Sequence, residues 1–297
     1  MDIRSKIRNV FESLEKNHFA VLGFPEEPMW DAPIIGISAG NDSYYDFLKA
    51  HIGEFHWSPS EVFALKYEDV PAADRLRVVS MIFSQTEKTK AMQQKATVFP
   101  CDRWLVSRGE WETLMEEFSG KLVAELEAEG YRCVSIDLQR EFSRETSRNL
   151  GIASKWSHRH AAFAAGLGTF GLSDGFISEK GKAIRITSLV IEADLEFTDR
   201  KNRGPYDWCL YAFNGSCGEC IKRCPVDAIS KKGHNKAICA AYEDQACETY
   251  WPEHIERGTY IFGCGLCQTD VPCQSRCPVP GAAGTDTNQR TGGMKHD

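Results

Sequence analysis

The sequence predicts an α+β fold, in which a mixed α/β domain is followed by a ferredoxin-like domain. Two observations indicate this class. Apolar segments of strand length and of helix length alternate along the chain up to about residue 195. Ten of the twelve cysteines then fall between Cys209 and Cys277. The change from apolar periodicity to clustered cysteines separates two kinds of structure.

A polar, charged stretch over residues 197–205 marks the boundary between the two regions. It ends in Gly-Pro, which breaks regular structure. The last residues of the chain are rich in glycine and threonine and have almost nothing to bury. We therefore expect an α/β cofactor- and substrate-binding domain over residues 1–200, a ferredoxin-like domain over 201–280 and a disordered tail over 281–297.

The elements of the first domain follow from their apolar patterns. Helices are expected where apolar side chains recur at helical spacing, and Gly130 is expected to end the helix that begins at residue 111. Strands are expected where short runs are rich in β-branched or apolar residues. The predicted helices cover residues 2–16, 111–126 and 157–165. The predicted strands cover residues 33–38, 76–83, 131–136 and 183–192.

The composition argues against several classes of function. Hydrophobic residues make up 42% of the chain and charged residues 26%, as in an ordinary globular protein. The net charge of −7 argues against a nucleic-acid-binding surface. No apolar run approaches the roughly 20 residues of a membrane span, and residues 1–8 lack the apolar core of a secretion signal. We therefore expect a cytoplasmic protein with reduced thiols and no membrane partner.

The cysteine spacing is typical of iron–sulfur clusters. Cysteines separated by two or three residues let one loop aim several thiolates at one cluster, and two of the motifs end in Cys-Pro, at Cys224 and Cys277. The alternative is a zinc ribbon, because paired Cys-x2-Cys motifs also bind zinc. Ten cysteines suffice for two four-cysteine clusters with two to spare.

We expect two 4Fe–4S clusters, each of which takes one cysteine from the motif that mainly binds the other cluster. In two-cluster ferredoxins the last cysteine of the Cys-x2-Cys-x2-Cys-x3-Cys-Pro run ligates the other cluster. Asn214 stands where the first cysteine of that run would be, and Cys209 is the obvious substitute. The first cluster is then expected on Cys209, Cys217, Cys220 and Cys273, and the second on Cys224, Cys239, Cys264 and Cys267. Cys277 competes with Cys273 as a ligand, and Cys247 competes with Cys239.

A glycine motif, Gly166-Leu-Gly168-Thr-Phe-Gly171, matches Gly-x-Gly-x-x-Gly without its usual setting. The dinucleotide-binding turn needs a strand before it and a helix after it. Here a helical segment precedes the motif, and no helical periodicity follows. The glycines are expected either to let the backbone approach a bulky planar group or to make a tight turn.

The glycine motif and the cysteine segment together resemble the epoxyqueuosine reductases. In that family a Gly-Leu-Gly-aromatic-x-Gly stretch precedes a double-cubane segment. Three pieces of the cysteine segment appear in the family's order and at similar gaps, namely Cys224-Pro, Cys239-Ala-Ala-Tyr and Gly263-Cys-Gly-Leu-Cys-Gln. The resemblance covers residues 70–280.

The resemblance implies a cobalamin-binding domain related to the nitroreductase-like fold, joined to a ferredoxin domain with two cubanes. Reductive dehalogenases share this plan. Electrons would pass through the clusters to a corrinoid, which reduces a small organic or nucleoside-like substrate. An external low-potential donor such as a ferredoxin or flavodoxin would supply the electrons. The implied cofactor-binding residues are Arg159, Gly166, Gly168 and Gly171.

The substrate half departs from the family pattern. Residues 171–174 read Gly-Leu-Ser-Asp in place of Gly-Lys-Asn, and residues 154–159 lack the approach that carries the family's proton-donating aspartate. We therefore expect a divergent member of the family.

A reductive step needs a proton donor, for which we expect His158 or Asp174. His160 lies on a different face of the same helix, so only one of the two histidines would face a cofactor. Tyr44 and Tyr45 are weaker candidates. Surface or helix-capping roles are the alternative for all of these residues.

Two other functions stay open at this stage. The chain could be an electron carrier or accessory subunit whose first domain binds a partner. It could also be a corrinoid-activating protein that supplies electrons to another protein's cobalt and has no substrate of its own.

Overall fold

The computed structural model describes residues 2–201, 204–250 and 263–283. The α-helices of these residues are α1 (Ile3–Glu12), α2 (Ser43–Ile52), α3 (Pro59–Ala64), α4 (Glu87–Gln94), α5 (Asp102–Gly109), α6 (Trp111–Ala128), α7 (His158–Ala164), α8 (Leu210–Asn214), α9 (Glu219–Lys222) and α10 (Lys236–Tyr250). The strands are β1 (His18–Phe19), β2 (Phe24–Pro28), β3 (Ile34–Ala39), β4 (Leu76–Ser84), β5 (Arg132–Ser135), β6 (Arg144–Ser147), β7 (Gly151–Ser154), β8 (Gly168–Phe170), β9 (Phe176–Ser178), β10 (Ile184–Glu192), β11 (Ile229–Ser230) and β12 (Gly233–His234).

A four-stranded sheet in the order β3-β4-β10-β5 forms the centre of the fold. Every neighbouring pair is antiparallel, and β4 and β10 pair from Leu76 opposite Glu192 to Ser84 opposite Ile184. Every residue of β4 is buried, which explains its nearly continuous apolar sequence. The mixed α/β composition predicted from the sequence is confirmed, and the four predicted strands are those of this sheet.

Both faces of the central sheet are covered by helices. On one face Val79 and Leu189 pack with α1 and α6, and on the other Val78 and Val190 pack with α2, α3 and α7. Adjacent strand residues point to opposite faces, so the two cores share the same strands. The face that carries α7 is the one that leads to the predicted site.

The three predicted helices are confirmed, with small differences in length. The first ends at Glu12 rather than residue 16, and α6 stops just before Gly130, whose φ of +88° ends the helix. Helices α2 to α5 lie outside the predicted set. In α4 the buried residues include the polar Lys90 and Gln93, so its sequence shows no apolar stripe.

Short elements and loops make up the cysteine-rich region. Three of these elements are the hairpin β11–β12, α10 and a 3₁₀ turn at Leu266–Gln268. Contacts reach back to the hairpin β8–β9, where Phe170 N donates to Pro205 O at 2.7 Å and Trp208 N donates to Thr169 Oγ1 at 2.9 Å. Residues 284–297, most of the predicted tail, lie outside the described residues. No helix in the described part of the chain is both long and apolar enough to cross a membrane.

Candidate metal centre and adjoining cleft

The first cysteine group consists of Cys209, Cys217, Cys220 and Cys273, which line one enclosed cavity together with Lys182. Their thiols are close enough to influence one another electrostatically. Burial raises the pKa of Cys273 to about 11; the other three thiols contribute in the same direction, and the Lys182 ammonium opposes them. Four potential thiolate ligands thus surround one space.

The second cysteine group consists of Cys224, Cys239, Cys264 and Cys267. Burial raises the pKa of Cys239 to about 12, and Glu243, Cys267 and Cys224 contribute. Burial also raises the pKa of Cys264, with Cys267, Glu243 and Cys239 contributing. The Glu243 carboxylate accepts from Cys264 N at 3.3 Å and from Cys239 Sγ at 3.8 Å. The second group, like the first, thus brings four cysteines near one another, and their assignment as cluster ligands stays a prediction.

The loop that carries Cys264 and Cys267 is held by the first part of the chain. Trp104 in α5 donates its indole N–H to Gly263 O at 3.1 Å, and Gln93 in α4 donates to Cys264 O at 2.8 Å. The Trp104 ring lies so close to Gly265 that a Cβ at that position would overlap it. Gly265 also has a φ of +61°, so both the turn and the packing need glycine.

The donor sets fit iron–sulfur clusters. Within residues 2–201, 204–250 and 263–283, no three His, Cys, Asp or Glu side chains converge on the position of a single metal ion. A cubane bonds its four cysteines to four different irons, so its ligands surround a volume rather than meet at a point. A zinc ion instead needs four ligands at about 2.0–2.3 Å. Cysteines around a cavity with a buried cation beside it suit an anionic cluster.

Four cysteines lie outside the two groups. Cys277 donates to Val279 O at 3.7 Å and packs in the same apolar cluster as Cys209 and Cys273. Cys133 is fully buried in β5, as predicted for a core residue, and burial raises its pKa to about 12. Cys101 occupies the N-cap position of α5. The side chain of Cys247, the predicted competitor of Cys239, lies outside the described residues.

His158 joins a polar network that includes a buried serine of β10. Its Nδ1 lies 2.8 Å from Ser188 Oγ, and its Nε2 lies 3.8 Å from Asp137 Oδ1. Burial lowers the pKa of His158, and the Asp137 carboxylate opposes this effect. These residue types match a hydrolase triad, but Ser188 is fully buried and already accepts from the Trp156 indole at 2.9 Å. No substrate can reach that hydroxyl, so the network serves to orient the imidazole.

Asp174 lines a cleft, and Arg159 contacts Asp174. Arg159 Nη1 donates to Asp174 O at 2.6 Å, and Asp174 Oδ2 lies 3.4 Å from His234 Nδ1. Burial favours the neutral acid, but His234 and the Arg159 and Lys236 charges outweigh it and lower the pKa of Asp174. Asp174 is therefore ionised at neutral pH, which makes it a poor proton donor.

The cleft itself has a volume of about 670 Å³ and lies between two hairpins. Residues 149–152, at the β6–β7 turn, form one wall, and residues 232–237, from the β11–β12 turn into α10, form the other. Asp174 lies between them. Lys236 bridges the walls by donating to Ile152 O at 3.0 Å. The mixed polar and apolar lining suits a group with amide edges, such as the side chains of a corrinoid.

His160 faces away from His158, as the helical spacing predicts. Its Nδ1 lies 2.7 Å from Ser157 Oγ, and its ring is 4.8 Å from that of Phe170. Burial, aided by the Arg159 charge, lowers the pKa of His160 to about 3. His160 is therefore neutral near pH 7.

The two tyrosine candidates are packing residues. Tyr45 is buried, with its hydroxyl 2.8 Å from Ser38 Oγ, and Tyr44 packs on Phe163 with ring centroids 4.9 Å apart. Burial raises the pKa of both phenols.

The glycine motif follows α7 and enters the hairpin β8–β9, so it lacks the strand–turn–helix setting of a dinucleotide site, as expected. Gly166 has a φ of +72° and lies against the backbone of Asp199 and Arg200. At Gly168 a Cβ would overlap Ile177 O. The protein's own chain therefore fills the space beside these two glycines, whereas Gly171 lines the cavity of the first cysteine group.

Several residues of these sites carry no sequence signal. Lys182 lines the first cysteine cavity, but in the sequence it is a lysine in a turn before β10 that belongs to no recognisable motif. Asp137, His234 and Trp104 reach their partners over long sequence separations. Spacing rules detect local ligand loops only, so none of these four could have been selected beforehand.

The sequence is similar to two curated epoxyqueuosine reductases. One, from Lactococcus garvieae, is 28% identical over 169 residues, which are 56% of this chain and 43% of the relative. The other, from Leadbetterella byssophila, is 30% identical over 115 residues, which are 37% of this chain and 35% of the relative. The chain thus matches less than half the length of either relative. No family profile matches the chain.

Three solved structures are similar in fold, each over 84% of this chain. They are an epoxyqueuosine reductase from Bacillus subtilis (TM-score 0.43, 16% identity, 65% of that chain), an epoxyqueuosine reductase with an epoxyqueuosine-modified tRNA stem loop (TM-score 0.46, 17% identity, 64% of that chain) and a catabolic reductive dehalogenase (TM-score 0.47, 15% identity, 31% of that chain). On the evidence of the sequence comparisons, the chain is a divergent relative of the epoxyqueuosine reductases, as its motifs predict.

Proposed function

We propose that the chain is an iron–sulfur oxidoreductase with two 4Fe–4S clusters and a corrinoid, and that it reduces a small organic or nucleoside-like substrate. The observation that carries this proposal is the gathering of eight cysteines into two groups of four. The curated relatives are named as reductases, which supports a reductive reaction. A cytoplasmic location remains part of the proposal.

Each cysteine group would hold one cluster. The first would be bound by Cys209, Cys217, Cys220 and Cys273, and the second by Cys224, Cys239, Cys264 and Cys267. When bound, the clusters carry single electrons and a corrinoid delivers them to the substrate. The protein's task is to keep water from the sulfurs, and the partial burial of Cys264 and Cys273 supports that role.

The cleft between the β6–β7 and β11–β12 hairpins would receive the corrinoid and substrate. Asp174, which lines the cleft, would contact polar edges there, and Arg159 would support this contact through its hydrogen bond to Asp174 O. We assign the proton-donor role to His158 rather than Asp174, because Asp174 is ionised by His234 and its neighbours, whereas a neutral imidazole still carries one N–H that it can donate. Asp137 would hold the His158 ring in position and oppose the lowering of its pKa by burial.

A modified nucleoside is the first substrate class to test, because both curated relatives are named for epoxyqueuosine. The net charge of −7 argues against a large nucleic-acid surface. One of the similar solved structures nevertheless contains a tRNA stem loop, so the nucleoside should be offered both free and within an RNA stem loop. A ferredoxin or flavodoxin is the proposed electron donor.

Anaerobic reconstitution followed by visible spectroscopy tests the corrinoid part of the proposal. We expect the loaded protein to retain about one corrinoid per chain after gel filtration. Substitution of Asp174, which lines the cleft, with Asn should weaken this retention, whereas His158→Asn should spare it and abolish turnover. Iron-loaded protein that takes up no corrinoid would favour the alternative function, an electron carrier or a corrinoid-activating accessory protein.

A further inference from the structure

Lys182 is a buried cation at the junction of the two cysteine groups. Its side chain is 3% exposed, and it lines the cavity formed by Cys209, Cys217, Cys220 and Cys273. Its Nζ donates to Ser173 Oγ and, at 3.1 Å, to Cys267 O of the second group. Its backbone N donates to Cys273 O of the first group at 2.8 Å. One residue thus contacts both groups.

Burying an ammonium without a counter-ion costs several kcal/mol. Both acceptors of Lys182 Nζ in the described chain are neutral oxygens, a hydroxyl and a carbonyl. The fold nevertheless makes room for the side chain, because a Cβ on Gly175 would overlap Lys182 Cε. The side chains of Cys209, Cys217, Cys220 and Cys273 line the same cavity as Lys182, and the anionic cluster that they would hold is the counter-ion that the ammonium needs.

We propose that Lys182 is a positioning residue for electron transfer, whose fixed positive charge stabilises the reduced clusters and raises their reduction potential. This inference rests on the proposed function, namely that both cysteine groups bind clusters. In the reduction step each cluster accepts one electron from the external low-potential donor and gains one negative charge, with no proton taken up. A cation a few ångströms away lowers the energy of the more negative state, and in a buried site water screens it little.

The test is a redox titration of the reconstituted full chain, followed by electron paramagnetic resonance. In Lys182→Met, which keeps the length of the side chain and removes its charge, we expect at least one cluster to become tenfold or more harder to reduce. For a one-electron couple this is a fall of about 59 mV in midpoint potential. Lys180→Met is the matched control, because Lys180 is exposed and two residues away; its potentials should equal those of the wild type.

A second variant keeps the test decisive if Lys182→Met assembles clusters poorly. Lys182→Gln keeps a hydrogen-bond donor for Ser173 Oγ and removes the charge, so we expect the same fall in potential at full iron content. Unchanged potentials in iron-replete Lys182→Met, or in Lys182→Gln when the first variant is iron-poor, would overturn the role of Lys182. Wild-type protein without iron would instead overturn the proposed function, so the two failures are distinguishable.

Discussion

At the scale of single residues, the ten clustered cysteines are not equivalent. Cys220 lies in α9 and lines the first cavity, and its pKa is raised by burial, with Cys267, Cys209 and Cys217 contributing. Cys277 instead donates to a backbone carbonyl, and the shift in its pKa involves no other cysteine. Pro278 lines the first cavity although Cys277 does not, so Cys277 lies next to the first group and remains the competitor of Cys273.

Serine substitution separates these two cysteines. We expect Cys220→Ser to lose about half of the bound iron, because one of two clusters lacks a ligand. The matched control, Cys277→Ser, should keep wild-type iron and sulfide. Chemical iron analysis of the anaerobically purified variants measures both, and equal loss in the two would show that the ligand assignment is wrong.

His160 links local burial to the pH dependence of stability. Its pKa is about 3 in the folded chain, against an ordinary value of 6.5. Between these two pH values the unfolded chain binds a proton that the folded chain does not, so the free energy of unfolding falls as the pH drops below 6.5. At pH 5 the loss is about 2 kcal/mol. His160→Gln should remove this part of the acid sensitivity.

Denaturant unfolding of the wild type and His160→Gln at pH 7.5 and pH 5 measures the effect. The stability difference between the two proteins should shift in favour of the variant at the lower pH. A difference that is the same at both pH values would mean that His160 is protonated in the folded chain.

At the scale of elements, the loop of residues 263–268 depends on helices α4 and α5. Gly265 has a left-handed conformation and lies against the Trp104 ring. Gly215, which ends α8, has a similar φ of +74°, but a Cβ added there would meet no atom within 4 Å. The two glycines therefore share a left-handed backbone conformation, but only Gly265 lies against another side chain.

Alanine at these glycines separates strain from packing. Gly215→Ala should cost about 1–2 kcal/mol of stability, the usual penalty for a left-handed non-glycine residue, and leave iron content unchanged. Gly265→Ala carries the same penalty and also displaces Trp104, so we expect a further loss of stability and loss of the second cluster. Thermal unfolding and iron analysis of both variants are the measurements, and full iron in Gly265→Ala would contradict the packing role of Trp104.

The sequence predicts elements best where burial imposes a pattern. Strands β4 and β10 could be predicted because both are rich in β-branched and other apolar residues, and α6 because its apolar residues recur at helical spacing. Helix α4 could not, since it buries polar residues, and the hairpin β6–β7 could not, since its residues are mostly exposed. Strand direction depends on long-range pairing, which periodicity does not encode.

At the scale of the whole molecule, the cysteine motifs were recognisable from the sequence but their surroundings were not. Ligand spacing is a local property, so it predicts two clusters and leaves Cys277 and Cys247 as competing ligands. The positions of Lys182 and Trp104 beside the cysteine groups, and of His234 beside Asp174, depend on contacts between distant parts of the chain. The predicted cofactor role of Gly166 and Gly168 is untested, although the protein's own backbone occupies the space beside both.

Two bound clusters are central to the proposed function, and a metal and sulfide analysis of anaerobically purified protein tests for them directly. We predict about eight iron atoms and about eight acid-labile sulfides per chain, with negligible zinc. Stoichiometric zinc without sulfide would contradict the presence of either cluster.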